Sequence, residues 1–330
     1  MSNKLQEIIE QCRIGSSCEI DIRFDEPMKN HTTFNVGGPA DCWVQPHGDG
    51  FSQFCCDLFR HTRLAGIPVF ILGGGANIVV SDKGIRGIVL DMSAWAGESV
   101  WGLLAGEEDL VLKSGTGIDE AADFAAAADL SGIEFLAGMP GTIGGAIWMN
   151  ARCYGSEIAD VLSWVEIICR EQGTGNKEQI IESEYIVKKI EIENGTGFGY
   201  KQSPFQKMDC LILSAALKLK KGSKDKILTE MEKNRHDRQD KGHYLFPCAG
   251  SAFKNNHDFG KPTGAIIDEL GLKGFQKGGA QIAPFHANIV INTGNAAASD
   301  IRALMDEVAG KVKIATGFTL EPEIIFAGEW

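Results

Sequence analysis

The sequence predicts a protein that mixes helices and strands and contains two or three domains. A chain of 330 residues is long enough to bury more than one hydrophobic core. Runs rich in β-branched residues alternate with glycine turns, which is typical of strands, and other segments carry apolar residues at helical spacing. With 23% charged and 44% hydrophobic residues, the composition is ordinary for a globular protein.

The first third of the chain predicts one helix followed by several strands. Residues 2–12 have the pattern of a short amphipathic helix. Residues 31–46 predict a polar turn, a break at Gly37-Gly38-Pro39 and a short strand. Residues 67–92 predict three short strands, separated by a glycine turn and by a turn at Lys83-Gly84. Glycine supplies the positive φ that such tight turns need.

The middle of the chain predicts a helix, a loop and two more strands. From Ile118 onward alanines recur at helical spacing, and Asp119 and Glu120 suit the first turn of a helix. Residues 138–145 predict a loop because they contain four glycines and a proline. Residues 161–170 and 210–219 read as strands.

The last third predicts a second domain that begins after a charged linker helix in residues 220–243. We place the main boundary near residue 220. Residues 286–292 predict a strand, and a late helix is expected to be capped by Ser299-Asp300. One face of that helix would be apolar, formed by Ile301, Leu304, Met305, Val308 and Val312.

The charge and cysteine content narrow the range of functions. A formal charge of −12 argues against nucleic-acid binding through a broad basic surface. The nine cysteines include no C-x-x-C pair, and no histidine cluster has the spacing of a zinc site, so we expect no metal. Free thiols favour a reducing compartment, and the sequence shows neither a signal peptide nor a membrane span. We therefore expect a cytoplasmic protein with no membrane, nucleic-acid or protein partner.

Three glycine-rich stretches suggest a phosphate-bearing cofactor. Neither the dinucleotide fingerprint nor the phosphate loop fits, because Ile78 and Val79 stand where those motifs require glycine and lysine. Bare backbone N–H groups can still line an anion in the stretches 73–77, 115–117 and 138–145. For any single stretch a structural turn is the simpler explanation, whereas three together favour a large cofactor.

Seven motifs carry a resemblance to a known family. They are HTTFNVGGPA, LGGGANIVVSDKGIRGIVL, LAGMPGTIGGAIWMNARCYGSEI, FGYKQSPF, AGSAFKN, GAIIDELGLKGFQKGGAQIAPFHANIVIN and LEPEIIFAG. In this order, from about His31 to the C-terminus, they closely resemble the shorter form of the UDP-N-acetylenolpyruvoylglucosamine reductase (UDP-N-acetylmuramate dehydrogenase) family of peptidoglycan synthesis.

The resemblance implies an α+β fold. An FAD-binding domain of the vanillyl-alcohol-oxidase (PCMH) type would occupy residues 1–220 in two lobes, about 1–83 and 84–220. A smaller α+β substrate-binding domain would occupy residues 221–330. The implied cofactors are FAD and NADPH. The residues implied to bind FAD are Gly73, Gly74, Gly75, Ala76, Asn77, Gly138, Gly141, Thr142, Gly144, Asn150, Arg152 and Gly155.

The implied reaction is the NADPH-dependent, FAD-mediated reduction of UDP-N-acetylglucosamine enolpyruvate to UDP-N-acetylmuramate. Hydride from the flavin would add to the alkene, and Ser251 would supply the proton. Lys201 and a protonated Glu323 would stabilise the negative charge that spreads into the substrate carboxylate. Tyr200 and Asn255 match substrate-contacting positions. On the residues alone, Ser251 reads as a turn residue, Glu323 as a solvent-facing carboxylate and Tyr200 as a core residue.

The sequence departs from the family pattern at the presumed site. Lys201 stands where the family has arginine, and lysine lacks the planar fork that grips a carboxylate through two parallel bonds. Arg152 replaces a usual glycine, so we hypothesise that it restores part of the lost guanidinium function. Two alternatives stay open: an FAD-dependent oxidase of the vanillyl-alcohol type, and a flavin-binding relative with impaired catalysis.

Overall fold

The computed structural model describes residues 2–96, 109–171 and 184–330. These residues form two units. The described residues of the first unit fall within Met1–Phe24, Asp41–Gly74 and Gly87–Arg235, and those of the second fall within Asp25–Ala40, Gly75–Arg86 and His236–Trp330. This division follows compactness alone, and the expected functional boundary near residue 220 stays a prediction. No helix in the described part of the chain is both long and apolar enough to cross a bilayer.

Helices and strands are mixed along the chain. The helices are α1 Ser2–Ser16, α2 Phe51–Ala65, α3 Ile118–Ala127, α4 Ile143–Met149, α5 Lys224–Asp240, α6 Thr263–Glu269 and α7 Ala298–Thr316. The strands are β1 Glu19–Pro27, β2 Pro39–His47, β3 Val69–Leu72, β4 Ile78–Val80, β5 Ile85–Asp91, β6 Asp109–Lys113, β7 Leu130–Ser131, β8 Arg152–Cys153, β9 Ser156–Glu157, β10 Leu162–Arg170, β11 Tyr185–Glu191, β12 Cys210–Lys218, β13 Lys220–Lys221, β14 Cys248–Ser251, β15 Gln276–Lys277, β16 Ala280–Ile282, β17 Ile289–Asn292 and β18 Ile325–Ala327.

Two four-stranded sheets are built from strands in the first two thirds of the chain. One has the order β1-β2-β5-β3, with β3 and β5 parallel, and the other has the antiparallel order β11-β10-β12-β6. The three strands predicted within residues 67–92 are confirmed as β3, β4 and β5, and the strands predicted at 161–170 and 210–219 as β10 and β12. Helices α1 and α2 bury apolar side chains in one core cluster with residues of the first sheet.

Helices α3 and α4 share a core with the second sheet. The predicted helical spacing of α3 is confirmed, because Ile118, Ala121, Ala122 and Ala125 are buried. The predicted loop over residues 138–145 is wrong at its end, since α4 already begins at Ile143. The hydroxyl of Thr142 accepts the N–H of Gly145 at 3.4 Å and caps this helix. The glycines inside its first turn hide the helical signal, because glycine disfavours helices.

The second unit contains the antiparallel sheet β14-β17-β16-β15 and the parallel pair β18-β4. Helix α7 buries the predicted apolar face of Ile301, Leu304, Met305, Val308 and Val312 in the core of this unit. The expected cap at Ser299-Asp300 is wrong by position, because Ala297 is the N-cap residue. Asp300 instead accepts the N–H of Ala297 at 3.1 Å from inside the helix.

A distant carboxylate completes the cap of α7. Asp82 accepts the N–H groups of Ala298 and Ser299 at 2.8 and 2.9 Å. Burial alone would raise the pKa of the Asp82 carboxyl, but hydrogen bonds from Ser299 and Ala298 outweigh it and lower the pKa. The segment that follows the first glycine stretch is therefore fastened within the second unit.

Candidate functional site

In the first unit two glycine stretches pack backbone against backbone. A Cβ on Gly74 would lie 2.8 Å from the Cα of Gly141, and one on Gly73 would lie 2.6 Å from the Oγ1 of Thr142. Any side chain at these positions would force the stretches apart. The N–H groups of Gly141 and Thr142 donate to no protein acceptor within the described residues. They remain available to an anionic ligand such as a pyrophosphate.

The third glycine stretch joins the same cluster. The carbonyls of Ser114 and Thr116 accept the N–H groups of Gly144 and Ile143 at 2.8 and 2.9 Å. A Cβ on Gly144 would lie 2.8 Å from the Cβ of Ser114. The hydroxyls of Ser114 and Thr116 are buried and have no hydrogen-bond partner in the described part of the chain. A buried hydroxyl without a partner costs about 1–3 kcal/mol of folding free energy, so these two groups lower the stability of the folded protein.

A carboxylate holds the first residue of the 138–145 segment. Gly138 has φ +76°, and its N–H donates to the Oδ1 of Asp119 at 2.7 Å. The same oxygen accepts hydrogen bonds from the Arg235 guanidinium on α5. The glycine segment is thus anchored to α3 and α5.

Asn150 is a fully buried residue at the C-terminal end of α4, with φ +46°. Its Nδ2 donates to the carbonyl of Gly199 at 2.8 Å, and its Oδ1 accepts the N–H of Ala159 at 3.3 Å. Both amide atoms are therefore used within the protein. The expected FAD contact of Asn150 stays a prediction, and the structure assigns it a role in holding the turn that follows Gly199.

Arg152 and Gly155 belong to the hairpin of β8 and β9. Arg152 pairs across the hairpin with Glu157, and Gly155 adopts φ +87° in the turn. The Arg152 side chain is exposed and makes no hydrogen bond or ion pair with the described residues. It is therefore free to meet an anion, and its contact with FAD stays a prediction.

Tyr200 and Lys201 form the tip of a tight turn. Gly199 and Gln202 exchange two backbone hydrogen bonds, each of 3.0 Å. Lys201 has φ +57°, a conformation that is costly for a residue with a side chain. Gln206 stabilises it by donating from Nε2 to the Lys201 carbonyl at 3.2 Å. Both tip side chains are half-buried, so the turn presents them without immersing them in a core.

In the second unit, residues 75–77 present three backbone donors. The N–H groups of Gly75, Ala76 and Asn77 donate to no acceptor among the described residues. Gly75 has φ +61°, and a Cβ there would lie 2.0 Å from the carbonyl oxygen of His31. Only glycine fits this position. The Nδ2 of Asn77 donates to the carbonyl of Glu323 at 3.1 Å.

Ser251 ends strand β14 directly after a bulge. The pairing of β14 with β17 shifts register between Cys248 and Ser251, and Gly250 adopts φ +71°. A glycine in the left-handed region is the usual device for such a bulge, which redirects the side chain that follows. The backbone at Gly250 is thus suited to aiming Ser251, whereas the chemical role of Ser251 stays a prediction.

Glu323 lies beside the Ser251 segment. Its N–H donates to the carbonyl of Ala252 at 2.8 Å, and the N–H of Lys254 donates to Glu321 at 2.9 Å. The structure therefore brings the backbones of Ser251 and Glu323 together within the second unit. The Glu323 side chain is half-buried.

Two asparagines support this arrangement. Asn255 is exposed, and its Oδ1 accepts the N–H of Thr263 at 2.9 Å at the start of α6. Asn288, which sequence reasoning missed, is buried and pairs with both backbone groups of Phe253, at 3.1 and 2.8 Å. The available signal was an amide directly before the apolar run of residues 289–291.

Comparison with known proteins decides the family. Residues 240–327 match the C-terminal domain of UDP-N-acetylenolpyruvoylglucosamine reductase, and residues 55–175 match an FAD binding domain. The chain is 38% identical to the UDP-N-acetylenolpyruvoylglucosamine reductase of Treponema denticola, with 94% of each chain covered. It is 36% identical to that of Borreliella burgdorferi, with 91% of this chain and 93% of the relative covered.

The chain belongs to the UDP-N-acetylenolpyruvoylglucosamine reductase family. The crystal structure of UDP-N-acetylenolpyruvylglucosamine reductase (MurB) from Thermus caldophilus agrees, with a TM-score of 0.70 and 28% identity over 94% of this chain and 99% of that one. The predicted α+β fold, with an FAD-binding domain of the PCMH type and a MurB C-terminal domain, is confirmed.

As a member of the reductase family the protein is an oxidoreductase. The predicted cofactors, FAD and NADPH, are confirmed as those that this family uses. The glycine cluster fits FAD, because its backbone is bare of side chains and keeps N–H groups unbonded. The substrate class, a small UDP-sugar, follows from the family.

Proposed function

We propose that this reductase converts UDP-N-acetylglucosamine enolpyruvate to UDP-N-acetylmuramate, with NADPH as the source of electrons and Ser251 as the proton donor. The observation that carries the proposal is the hydrogen bond from the Glu323 N–H to the Ala252 carbonyl at 2.8 Å. Because Ala252 directly follows Ser251, this bond makes neighbours of the Ser251 segment and Glu323, which are far apart in sequence and which the family resemblance had singled out separately.

The cofactor would be held mainly by backbone groups. The residues assigned to it are Gly73, Gly74, Gly75, Ala76, Asn77, Gly138, Gly141, Thr142, Gly144, Asn150, Arg152 and Gly155. FAD, when bound, supplies the hydride that adds to the terminal alkene carbon of the substrate. The unbonded N–H groups at Gly141 and Thr142 and at residues 75–77 support this assignment.

Ser251 would transfer its hydroxyl proton to the neighbouring substrate carbon. Hydride addition leaves an electron pair on that carbon, and this pair forms the new C–H bond while the serine oxygen keeps the electrons of the broken O–H bond. A serine is a weak acid, but a carbanion-like centre is basic enough to take its proton. The bulge at Gly250 supports the role, because it fixes the backbone that carries the hydroxyl.

Charge that spreads into the substrate carboxylate would be met by Lys201 and by a protonated Glu323. A donor aimed at developing charge is commonly worth about 3–4 kcal/mol. Tyr200 on the same turn as Lys201, and Asn255 through its Nδ2, would contact the rest of the substrate.

All nine cysteines are free, which supports action in the reducing cytoplasm. The enzyme would act there in the pathway that builds the cell wall, and so would help to maintain cell shape and division.

Rapid-mixing spectroscopy tests the proposal in two half-reactions. NADPH should bleach the flavin, and the enolpyruvyl UDP-sugar should restore its absorbance. Ser251→Ala should leave the bleaching rate unchanged and slow the reoxidation about 10²–10⁴-fold, the usual contribution of a positioned acid. Ser52→Ala, on helix α2 in the first unit, serves as the matched control.

Two outcomes would contradict the proposal. If the enolpyruvyl UDP-sugar does not reoxidise the wild-type flavin, the protein is an oxidase or a catalytically impaired relative. If it does so equally fast in Ser251→Ala, another group supplies the proton. Release of FAD after denaturation would show that the flavin is not covalently tethered, and would count against the oxidase alternative.

A further inference from the structure

Asn77 joins the first glycine stretch to the peptide of Glu323. Its carbonyl accepts the N–H of Ile325 at 3.0 Å, which continues the parallel pairing of β4 and β18 and is open to any residue. Its Nδ2 also donates to the carbonyl of Glu323 at 3.1 Å, and this second bond requires a side chain that can donate a hydrogen bond. Asn77 lies in the loop proposed to bind the cofactor, yet its side chain holds the backbone of Glu323.

The Glu323 peptide is held from both sides. The side chain of Asn77 donates to the Glu323 carbonyl, and the Glu323 N–H donates to the carbonyl of Ala252 at 2.8 Å. Ala252 follows Ser251 directly, and its own N–H donates to the carbonyl of Asn288 at 2.7 Å. Asn77, Glu323 and the Ser251 segment therefore form one continuous hydrogen-bonded series within the second unit.

We propose that Asn77 is a positioning residue that couples the loop carrying FAD to the residues that protonate and stabilise the substrate. This inference rests on the proposed function, because it acts through Glu323 and Ser251. The Asn77 side chain holds the Glu323 peptide, whereas its backbone N–H donates to no acceptor among the described residues and would be the group that meets the cofactor. Loss of the side chain should therefore harm the reaction with substrate while leaving the cofactor bound.

Asn77→Ala tests the coupling through the two half-reactions. Reduction of the flavin by NADPH should keep the wild-type rate, and reoxidation by the enolpyruvyl UDP-sugar should slow about tenfold. The dissociation constant for FAD, measured by titration of the apoprotein, should change by less than about threefold. Asn77→Asp should slow reoxidation at least as much, because a carboxylate would face the Glu323 carbonyl.

The Asn77→Asp variant adds a pH signature. When the introduced carboxyl is protonated at low pH it can donate to the Glu323 carbonyl, so its reoxidation rate should recover relative to Asn77→Ala. Thr293→Val is the matched control, since Thr293 also donates from its side chain to a backbone carbonyl, that of Gly279 at 2.9 Å. It should lower the melting temperature without changing either half-reaction.

The outcomes separate this inference from the proposed function. If wild-type flavin is not reoxidised by the substrate, the proposed function fails. If wild type is reoxidised and Asn77→Ala is equally fast, the coupling is absent. If Asn77→Ala weakens FAD binding more than tenfold while reoxidation of the loaded enzyme stays normal, Asn77 is a cofactor contact and the inference is overturned.

Discussion

Arg235 donates two hydrogen bonds to a single oxygen of Asp119, from Nε at 3.0 Å and from Nη2 at 2.6 Å. That oxygen also accepts the N–H of Gly138 at 2.7 Å. Arg235 is the last residue of the first unit and lies on α5, and Gly138 opens the glycine segment 138–145, which is proposed to bind FAD. One carboxylate therefore fixes the start of that segment against two helices.

Asp119→Ala should weaken FAD binding. It removes a charge-assisted hydrogen bond to Gly138, and a tenfold rise in the dissociation constant corresponds to about 1.4 kcal/mol, near the lower end of what such bonds contribute. Titration of the apoprotein with FAD, followed by flavin fluorescence, measures the change.

Asp123→Ala is the matched control for that variant. Asp123 also binds Arg235, at 2.7 Å, whereas the N–H of Gly138 donates to Asp119. Both substitutions remove one negative charge and one partner of Arg235. Equal loss of FAD affinity in the two variants would show that the ion pair, and not the bond to Gly138, matters.

The elements predicted from sequence are those whose signal is local. Strand β12 follows from a short apolar run, whose side chains are buried on both faces, and the buried face of α7 follows from helical periodicity. The glycine stretches were also visible, and parts of all three lie together in the first unit, whereas their role in binding a cofactor stays a prediction. The residue roles depended on the family resemblance.

What escaped prediction depends on contacts between distant parts of the chain. The cap of α7 comes from Asp82, 216 residues before Ala298, and no local pattern points to it. Asn77 and Asn288 look like ordinary loop amides, yet each binds a backbone group more than thirty residues away. Such side-chain to backbone bonds leave no period in the sequence.

Two glycines should differ sharply when replaced by alanine. At Gly250 the φ of +71° is costly, but a Cβ would meet no atom within 4 Å. Gly250→Ala should therefore lower the free energy of unfolding by only about 1–2 kcal/mol, the cost of the left-handed backbone. Because the bulge would adjust, reoxidation of the flavin by substrate should slow as Ser251 shifts.

Gly75→Ala should be far more damaging. The added Cβ would lie 2.0 Å from the His31 carbonyl oxygen, so the backbone itself must move. We expect little folded protein, measured by urea unfolding with circular dichroism beside Gly250→Ala. Similar unfolding free energies for the two variants would mean that the His31 segment yields easily.

Substitutions at Arg152 and Lys201 test whether Arg152 supplies the guanidinium that the family has at position 201. The exposed, unengaged side chain of Arg152 is consistent with the hypothesis that it serves the substrate carboxylate or the cofactor. Arg152→Gly should then lower both turnover and substrate affinity, and Lys201→Ala should lower them further. Lys201→Arg should partly rescue Arg152→Gly, because it restores a planar fork. If Arg152→Gly changes neither quantity while Lys201→Ala abolishes activity, the hypothesis is wrong.

A pair of histidines in the second unit should make stability depend on pH. The rings of His243 and His286 lie 6.2 Å apart. Burial lowers the pKa of His243 to about 4, with Arg238, His286 and Lys241 acting in the same direction and Asp237 against it. Burial also lowers the pKa of His286, and Lys241 and Lys273 add to the effect.

The unfolded chain therefore binds more protons than the folded one between the ordinary histidine pKa of 6.5 and about 4. Stability from the neutral ring is fully present above pH 6.5 and is lost as the pH falls towards 4. Because the ring is partly exposed and screened by solvent, we expect a loss of about 1–2 kcal/mol for His243. Urea unfolding at several pH values measures it.

His243→Phe should flatten this dependence, because phenylalanine keeps an aromatic ring in the site and cannot take up a proton. His257→Gln, at an exposed position, is the control and should leave the slope of the wild type unchanged. A slope between pH 7 and pH 4 that survives in His243→Phe would assign the proton uptake to His286 or to carboxylates elsewhere, because only groups whose pKa differs between the two states contribute.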